Sequence, residues 1–523
     1  MLNILRKPDD VNIILNSKKT CRDAKIRFEM DNRRLYIYLS AYIDEPEFVC
    51  LRWNYVTDEP VKVMGDKWER AYADLNWHSL SEEIFMPWYF MVDNGSTVVG
   101  CGVMVQPNSF VSFQYDSKGV TGWFDVRCGA AGVQLKGREL LIATVVCESY
   151  KGITAFEATK EFCKVMSPYP ILPKKPVYGS NNWYYAYGNS SGKELRQDAS
   201  VIAELAAGND NLPFMVIDDG WQINGCSGPW IGNDRHGDMG QIARDFKKIG
   251  VRPGIWIRLL HDVEAEKNHP EWCLKKRDTT DGSTILDPSH PGVKMYLKEV
   301  LNRISNWGYE LLKHDYSTYD LFGEFGSSLN GMITNYGNWS FYDRTKTSAE
   351  IVLDFYRLIK KEAKGMMILG CCTVSHLCAG LVEINRIGDD TSGKSWDRTR
   401  ALGINTLAFR LPQNGSFYAV DADCVGILED NIPWSLNRQW LELLAKSGSP
   451  LFVSAQPSAL TEEMKADLKK AFQINSIQKD VAIPLDWQYN NTPDRWLINE
   501  EKVTFDWIQN TYPGLLYGRF PVL

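Results

Sequence analysis

Polar residues interrupt four apolar segments of the sequence, each time near the C-terminal end of the segment. The clearest case is ELLKHDYS at residues 310–317, where Lys313 and Asp315 follow an apolar pair. Side chains of a strand alternate between its two faces, so Lys313 and Asp315 would share a face and His314 would lie on the other. A carboxylate beside a lysine in a partly desolvated site stays ionised at neutral pH, which is the state that a nucleophile needs.

The other three interruptions supply more groups that could take part in chemistry: Asn182 and Trp183, then Asp218 and Asp219, then Arg386, Asp389 and Asp390. A second carboxyl group facing Asp315 could stay protonated and act as an acid. Two carboxyl groups that flank a bond are the machinery of glycoside hydrolysis, about 5 Å apart in the covalent, retaining route and about 6.5 to 9.5 Å apart in the inverting route. The sequence does not fix this distance, and a single Asp after a strand often only caps the next helix.

Eight apolar segments are predicted to be the strands that position these groups: VYGSNNW, PFMVIDDG, RPGIWIRLL, YELLKHDYS, MMILGCC, LVEINRIGDD, GSFYAVDAD and PLFVSAQ. Amphipathic segments lie between them, and several end at Gly, as helices with a left-handed C-terminal cap do. Eight strands, each followed by a helix or a long loop, predict a (β/α)8 TIM barrel. Active sites of such barrels lie at the C-terminal ends of the strands, which is where the polar residues are.

Three domains are predicted. Residues 1–172 contain alternating segments such as RRLYIYLSAY and ELLIATVVC, then the helical segment TAFEATKEFCKVM, and are predicted to be an N-terminal β-sandwich domain with a helical linker. The prolines of SPYPILPKKP mark the boundary to the barrel at residues 173–456. Residues 457–523, with the strand-like RWLINEEKVTFDWI, are predicted to form a small C-terminal β domain.

Composition narrows the class of partner. The chain has 523 residues and a formal net charge of -7, which argues against nucleic acid or an anionic membrane as partner and favours a compact or neutral substrate. No signal peptide or membrane-spanning segment is evident, and the 12 cysteines are scattered through apparent core segments. We therefore expect reduced thiols and a cytoplasmic location. The sequence leaves the oligomeric state and the role of the N-terminal domain open.

The motifs at the strand ends resemble those of a known family. IDDGWQ at 217–222, RPGIW at 252–256, LDPS at 286–289, GYELLKHD, LGC at 369–371 and RIGDD at 386–390 occur in the order found in melibiase-type α-galactosidases. The chain is thus similar to glycoside hydrolase clan D, closest to family 36, over roughly residues 175–455. This resemblance implies an N-terminal sandwich, a barrel and a C-terminal β domain.

The resemblance also implies roles for the two central carboxylates. The Asp of the Lys-x-Asp motif is the nucleophile of the family, which makes Asp315 the residue that attacks the anomeric carbon. The Asp four residues after the Arg of the later motif is the acid/base, which corresponds to Asp390, with Arg386 as a sugar-binding partner. Lys313 would hold sugar hydroxyl groups and keep Asp315 charged.

Further positions match substrate-binding residues of the family. Asp218 and Asp219 correspond to the paired acids that hold the distal hydroxyl groups of the sugar, which favours the axial O4 of galactose. Trp183 and Trp256 would be walls of the site, and Cys371 matches the cysteine after the fifth strand. The resemblance therefore implies a retaining, exo-acting α-galactosidase of small soluble galactosides.

Three departures from the family pattern limit this transfer. After the first strand the chain has GSNNWYY instead of the Trp-x-Ser-Trp of many relatives, so only Trp183 maps there. Asp389 stands where relatives can have Pro, and it would be the acid if the register were shifted by one residue. The loop from Phe322 to Arg344 has no assigned role and is a candidate for the leaving-group side of the site.

No cofactor or metal is expected. The sequence contains no His-Glu-x-x-His, Cys-x-x-Cys or Gly-rich phosphate loop, and the absence of a Gly-rich first turn also argues against a doubly wound nucleotide-binding fold. Of the seven histidines, His236, His261 and His376 could lie near the barrel mouth, but a core or loop role is the better interpretation.

Alternative functions remain open at this stage. The same fold and carboxylates suit an α-N-acetylgalactosaminidase, a β-L-arabinopyranosidase or a raffinose-synthase-like galactosyl transferase, which differ in how the site treats the C2 substituent, the C6 arm or water. A non-catalytic sugar-binding protein is another alternative. It would be favoured if either acid were missing, yet Asp315 and Asp390 are both present.

Overall fold

The computed structural model describes residues 2–15, 21–57, 59–274, 284–329, 331–334, 337–429, 432–478 and 480–507. Residues 508–523 of the predicted C-terminal domain lie outside this part of the chain. Within the described residues, no helix has both the length and the apolar character needed to cross a membrane.

Two antiparallel sheets contain the first eleven strands, as the alternating segments predict. One sheet has the order β1-β4-β10-β9-β6 and the other β2-β3-β11-β8-β7-β5. Phe90 of one sheet contacts Phe113 of the other with ring centroids 5.5 Å apart, so apolar faces of the two sheets meet. The strands are β1 (Asp10–Leu15), β2 (Lys25–Met30), β3 (Arg34–Ser40), β4 (Pro46–Asn54), β5 (Lys62–Gly65), β6 (Ser81–Pro87), β7 (Tyr89–Asp93), β8 (Val98–Val103), β9 (Phe110–Asp116), β10 (Gly119–Asp125) and β11 (Glu139–Tyr150).

The predicted linker helix is present as α1 (Ala155–Met166). Its start is fixed by a capping box, in which the Thr154 hydroxyl accepts the backbone N–H of Glu157 and the Glu157 carboxylate accepts that of Thr154. The buried face of α1 includes Phe156 and Phe162. The helix thus attaches to the apolar core before the proline-rich segment begins.

A curled, wholly parallel sheet of nine strands follows, consistent with a TIM-like barrel. Each of the eight predicted segments contributes a strand, and the order is β20-β19-β18-β17-β16-β13-β12-β22-β21. A two-stranded hairpin, β14 with β15, projects after β13. The strands are β12 (Tyr178–Asn181), β13 (Phe214–Ile217), β14 (Gln222–Asn224), β15 (Ser227–Gly232), β16 (Arg252–Ile257), β17 (Leu311–His314), β18 (Met367–Gly370), β19 (Ile384–Arg386), β20 (Ala419–Asp421), β21 (Cys424–Ile427) and β22 (Leu451–Ala455).

The inner face of the curled sheet carries its own apolar cluster. The cluster collects buried side chains from the strands of the sheet and from residues next to β12: Val177, Tyr184, Phe214, Val216, Leu311, Leu369, Ile384, Cys424 and Phe452. The two ends of the strand order, β20 and β21, are separated in the chain only by Ala422 and Asp423. The two edge strands of the curled sheet are therefore neighbours in the chain.

Helices lie between most of the parallel strands, as predicted. In the third of these helices the Asp238 side chain caps the N-terminus and Gly250 ends the helix at φ 94°, a left-handed conformation that glycine adopts without strain. The helices are α2 (Trp183–Ala186), α3 (Gly192–Leu205), α4 (Met239–Ile249), α5 (Val263–Asn268), α6 (Pro291–Trp307), α7 (Ser317–Phe322), α8 (Ser348–Glu362), α9 (Ser375–Cys378), α10 (Trp396–Thr399), α11 (Asn405–Arg410) and α12 (Trp434–Lys446).

The segment after residue 457 contains a helix that the prediction of a β domain did not include, and its strands follow this helix. Helix α13 (Glu462–Ile477) is capped by Thr461, and its buried residue Phe472 contacts Tyr178 of β12 with ring centroids 5.1 Å apart. The sequence prediction for this segment rested on its strand-like end. The predicted β structure follows as a three-stranded antiparallel sheet of β23 (Ile483–Pro484), β24 (Arg495–Ile498) and β25 (Glu501–Thr504).

Candidate active site

A cavity of about 350 Å³ opens at the carboxyl ends of the parallel strands. It brings together all nine residues predicted for the site, which come from six strand ends: Trp183, Asp218, Asp219, Trp256, Lys313, Asp315, Cys371, Arg386 and Asp390. A larger cavity, of about 990 Å³, lies beside the first antiparallel sheet and is mainly apolar. The smaller cavity is the candidate active site, because several titratable groups converge on it.

Asp315 follows β17 directly, and its carboxylate is held by three N–H groups. The indole Nε1 of Trp256 donates to Oδ2 at 3.1 Å, while the backbone N–H groups of Tyr316 and Cys372 donate to Oδ1 at 2.7 and 3.3 Å. Hydrogen bonds to the charged form of a carboxyl group favour that form. The arrangement fixes the orientation of the carboxylate at the edge of the cavity.

Charge also favours the ionised form of Asp315. Burial by itself would raise the pKa of this carboxyl, but Lys313 and Arg70 outweigh it and hold the pKa well below its ordinary value. His314 does not line the cavity, and its Nδ1 lies 3.2 Å from the Ser317 hydroxyl, so the strand alternates as predicted. Asp315 is therefore charged near neutral pH, as a nucleophile must be.

Lys313 is buried, and its ammonium group pairs with a carboxylate from another strand. Its Nζ lies 2.7 Å from Oδ2 of Asp218, which also accepts the Asn181 side-chain amide at 2.7 Å. Burial would lower the pKa of Lys313, yet Asp218 and the other acidic groups nearby raise it well above its ordinary value. Lys313 thus links the charge of Asp218 to that of Asp315.

Asp219 has a different environment, although it is adjacent to Asp218 in the chain. Its Oδ1 accepts the backbone N–H of Cys226 at 2.9 Å and the side-chain amide of Gln222 at 2.5 Å. The structure gives Asp219 no cationic partner among the described residues. Burial is the main reason that the pKa of Asp219 is raised.

These two environments predict different effects of the two Asn substitutions. Asp218→Asn leaves the Lys313 ammonium buried without its carboxylate, and breaking a buried ion pair in this way costs about 3–5 kcal/mol of the free energy of unfolding. Asp219→Asn keeps the same hydrogen-bonding shape and should cost about 1.5 kcal/mol or less. Chemical denaturation of both variants measures the difference, and equal losses would contradict the assigned pairing.

Asp390 lies across the cavity from β17, at the end of the segment that follows β19. Its Oδ1 is 3.0 Å from Nη2 of Arg386, which also pairs with the buried Asp423 at 2.7 Å. The Asp390 side chain is 40% exposed. Burial of the carboxyl group acts to raise its pKa, but Arg386 and Arg70 outweigh this and lower it.

Asp389 is held differently, although it neighbours Asp390 in sequence. Its carboxylate lies 3.2 Å from Nη1 of Arg70 on one side and forms an ion pair with Arg398 on the other. Only 18% of its side chain is exposed, compared with 40% for Asp390. Of the two candidate acids, Asp390 therefore presents its carboxyl group more fully to the cavity.

Several cavity residues were missed by the sequence reasoning: Arg70, Tyr72, Tyr184, Cys226, Tyr316, Cys372 and Arg398. Arg70 and Tyr72 come from the connection between β5 and β6, which reaches the barrel because the Ala71 N–H donates to the Ile387 carbonyl at 2.8 Å. No local sequence pattern predicts a contact between residues so far apart in the chain. Tyr184 and Cys372, in contrast, directly follow predicted site residues.

The loop from Phe322 to Arg344 contributes one wall of the cavity through Phe325 and Ser327. Phe325 stacks on Tyr319 with ring centroids 4.4 Å apart, and the Gly326 N–H donates to the buried Glu69 carboxylate at 2.8 Å. Positions 330, 335 and 336 of this loop lie outside the described residues. The described part of the loop is thus fastened to the same segment that supplies Arg70.

The three histidines considered for the barrel mouth do not line the cavity. His236 is buried and its Nδ1 lies 2.8 Å from the side-chain oxygen of Asn233, while His376 is buried with its ring stacked on Trp88 at 5.0 Å. Burial lowers the pKa of both imidazoles to about 4. These two histidines are neutral core groups.

One group of potential metal-ligand atoms borders the cavity within the described residues. The ligand atoms of Asp315, Cys371 and Cys372 lie within 4.8 Å of one another. The Cys371 contact and burial raise the pKa of the Cys372 thiol well above its ordinary value, and Arg70 and Lys313 bring positive charge close to Asp315. A protonated Cys372 thiol and nearby cations do not suit a metal ion.

Comparison with known proteins identifies the fold. No protein-family model and no curated protein sequence matches the chain. The solved α-galactosidase TtGalA of Thermus thermophilus, in complex with p-nitrophenyl α-D-galactopyranoside, matches with a TM-score of 0.63 at 16% identity, over 92% of this chain and 99% of that one. The GH36 α-galactosidase AgaA of Geobacillus stearothermophilus matches with a TM-score of 0.63 at 12% identity, over 91% and 71% of the two chains.

A third solved structure, the α-galactosidase from Lactobacillus brevis, matches with a TM-score of 0.59 at 12% identity, over 92% of this chain and 72% of that one. At such identities the likeness establishes the fold, and the resemblance predicted from the motifs at the strand ends is confirmed at that level. The chain is folded like the GH36 α-galactosidases.

Proposed function

We propose that the protein is a retaining, exo-acting α-galactosidase of glycoside hydrolase family 36, a glycoside hydrolase that removes terminal α-galactosyl residues from small soluble galactosides. The observation that carries this proposal is the convergence of all nine predicted residues on one cavity. The fold adds support, since the three α-galactosidases above share it.

In the proposed reaction, Asp315 attacks the anomeric carbon while Asp390 donates its proton to the leaving oxygen, so that the glycosidic bond breaks and a glycosyl–enzyme ester forms. Because Arg386 and Arg70 lower the pKa of Asp390 in the free protein, the acid role requires that substrate binding favour its protonated form. Asp390, now ionised, takes a proton from water, whose oxygen attacks the anomeric carbon and releases Asp315. Two displacements restore the original configuration of the sugar. The ionised state of Asp315, held by Lys313 and Arg70, suits the first step.

The remaining predicted residues have substrate-binding roles in this proposal. The carboxylates of Asp218 and Asp219 accept hydrogen bonds from the hydroxyl groups at the distal end of galactose, and Lys313 lies beside Asp218 as a hydrogen-bond donor. Trp183 and Trp256 are apolar walls, and Cys371 and Arg386 border the sugar. No metal or cofactor takes part.

We also propose that the curled sheet closes into a (β/α)8 barrel, with β20 and β21 as the two halves of its seventh strand. The adjacency of these two strands in the chain supports this. The domain boundaries near residues 172 and 456 are retained as part of the proposal, with the two antiparallel sheets as the N-terminal sandwich and α13 as an addition to the C-terminal domain.

The cytoplasmic location also remains a proposal. All twelve cysteines of the chain are free thiols, and eight of them are buried. A reducing compartment suits such a set. Galactosides that reach the enzyme there would be small enough to be imported before hydrolysis.

Three chromogenic substrates test the proposed function. We expect hydrolysis of 4-nitrophenyl α-galactopyranoside in preference to the α-N-acetylgalactosaminide and the β-L-arabinopyranoside, with proton NMR showing that the first sugar product is the α-anomer. Inversion would contradict the role of Asp315 as nucleophile. Preference for another sugar would change the substrate, and no turnover of any of the three would favour a binding protein.

A further inference from the structure

The buried guanidinium of Arg70 enters the candidate active site from outside the parallel sheet. Its Nη1 lies 3.2 Å from Asp389 and 3.9 Å from Asp390, and its Nη2 donates to the Tyr72 hydroxyl at 3.0 Å. Only 7% of the Arg70 side chain is exposed. Arg70 thus contacts both members of the acid pair, and the sequence motifs gave no indication of it.

Two guanidinium groups hold Asp389, one at each carboxylate oxygen, so that neither oxygen is without a cationic partner. Arg398 pairs with the Asp389 carboxylate and donates from Nε to the backbone carbonyl of Asp390 at 3.1 Å. Asp390 keeps Arg386 at 3.0 Å and lies farther from Arg70 than Asp389 does. The position of the Asp390 carboxyl group therefore depends on where Arg70 and Arg398 hold its neighbour.

The surroundings of Arg70 fix its position. The fully buried Glu69 precedes it, with Oε1 accepting both the Tyr72 hydroxyl at 3.0 Å and the Gly326 N–H at 2.8 Å. The following residue, Ala71, donates its N–H to the Ile387 carbonyl at 2.8 Å. Backbone and side-chain contacts on both sides of Arg70 thus fasten this segment to the strand-end loop that carries Asp389 and Asp390.

We propose that Arg70 is a positioning residue of this site. Together with Arg398 it binds Asp389, so that Asp390 alone presents its carboxyl group to the leaving oxygen. The positive charge of Arg70 also acts on both Asp390 and Asp315. This inference rests on the proposed function, because it assigns Asp390 as the acid/base. It gives the connection between β5 and β6 a role in the reaction chemistry.

The proposal predicts the direction in which the pKa values of two carboxyl groups change when the charge of Arg70 is removed. Arg70 lowers the pKa of Asp390 and of Asp315, so loss of its charge should raise both pKa values. The charged and titratable groups that act on Asp390 are Arg386, Arg70, Arg398, Lys313, Asp315, Asp389 and Tyr184. The acidic limb of kcat/KM reports the nucleophile, which must be ionised, and the basic limb reports the acid, which must be protonated.

The first variant is Arg70→Met, which keeps much of the length of the side chain and removes its charge. We expect both limbs of the pH profile of kcat/KM to move to higher pH, the basic limb by about one pH unit, as expected when an opposite charge near a carboxyl group is lost. We also expect kcat/KM for melibiose to fall about 100-fold at its optimum, because misplacement of an acid by about 1 Å has such an effect. Arg70→Lys, which keeps the charge, should leave the limbs near their original positions.

Asp389→Asn should shift the basic limb the other way. It removes a negative charge next to Asp390 and frees Arg70 to pair with Asp390, and both changes lower the pKa of that carboxyl group. The basic limb should then move to lower pH. Opposite shifts for Arg70→Met and Asp389→Asn are the signature of the proposal, and unchanged limbs in both variants would overturn it. If Arg70→Met does not fold, the shift of the basic limb in Asp389→Asn still tests the proposal.

Arg127→Met is a matched control, since Arg127 is a buried arginine outside the candidate active site that pairs with Asp125 at 2.6 Å. It should lower stability without moving either limb. An equal shift in this control would assign the effect of Arg70→Met to general destabilisation and overturn the proposal.

A readout independent of turnover separates this proposal from the proposed function. Carboxyl ¹³C NMR titration of aspartate-labelled protein, with the Asp390 signal assigned by its loss in Asp390→Asn, should show a higher midpoint for Asp390 in Arg70→Met than in the wild type. An unchanged midpoint would overturn the role of Arg70. A wild-type chain that cleaves no α-glycoside would overturn the proposed function, and the titration would still decide on Arg70.

Discussion

Asp315→Ala should reduce kcat for 4-nitrophenyl α-galactopyranoside by about 10⁴-fold or more, which is the usual scale of loss when the catalytic nucleophile of an enzyme is removed. The physical reason is that the covalent step has no other carboxylate to perform it. Asp315 is oriented by N–H groups of Trp256, Tyr316 and Cys372 and kept ionised by Lys313 and Arg70. Steady-state kinetics with the purified variant measures the loss.

Small anions provide the control for this variant. The space left by the Asp315 side chain should admit azide, and attack by azide on the anomeric carbon should restore part of the turnover and give β-galactosyl azide. Recovery of activity with this product assigns the position of the nucleophile, which loss of activity alone does not. Near-normal turnover of Asp315→Ala without azide would instead remove Asp315 from the mechanism.

The positions of the strand-end residues could be predicted because each follows an apolar segment in a fixed register. Lys313 and Asp315 share a face since strand side chains alternate, and the carboxyl ends of parallel strands meet at one end of a barrel. The same reasoning brought Asp218 and Arg386 to the cavity, where both now lie. Local sequence pattern and a general rule about parallel sheets were sufficient for this part of the site.

Contacts between distant parts of the chain could not be predicted in this way. The pairing of Lys313 with Asp218 joins two strands that are far apart in sequence, and only their approach in space determines it. Arg70 is more distant still from Asp389, and its segment has neither the apolar periodicity nor the turn residues that mark an element. Helix α13 was missed for a different reason. Its apolar stripe is weak, and polar residues, Asn475 and Ser476, are among its buried residues.

The contrast between Asp389 and Asp390 shows what the distant contacts add. The family resemblance assigns the acid to Asp390, and a shift of one residue in the register would assign it to Asp389 instead. In the structure one carboxylate is enclosed by Arg70 and Arg398, and the other is more exposed beside Arg386. In the proposed mechanism, the choice of acid therefore depends on a segment that lies between β5 and β6, far before the first parallel strand in the chain.

Asp390→Asn should lower kcat/KM for substrates with poor leaving groups, such as melibiose, by about 10² to 10⁴-fold, the usual contribution of general acid catalysis. For 4-nitrophenyl α-galactopyranoside, whose leaving group is stable as an anion, kcat/KM should change little, because formation of the glycosyl–enzyme then needs no proton. Release of the intermediate still needs a base, so kcat for this substrate should fall and the intermediate should accumulate.

The leaving-group comparison also decides between the two neighbouring acids. Asp389→Asn should lower kcat/KM for melibiose less than Asp390→Asn does, because Asp389 acts on the reaction only through Arg70 and the position of Asp390. If Asp389→Asn showed the selective loss with melibiose and Asp390→Asn did not, the acid would be Asp389. The two guanidinium groups around Asp389 would then have to release it when substrate binds, since each of its two carboxylate oxygens is held in an ion pair.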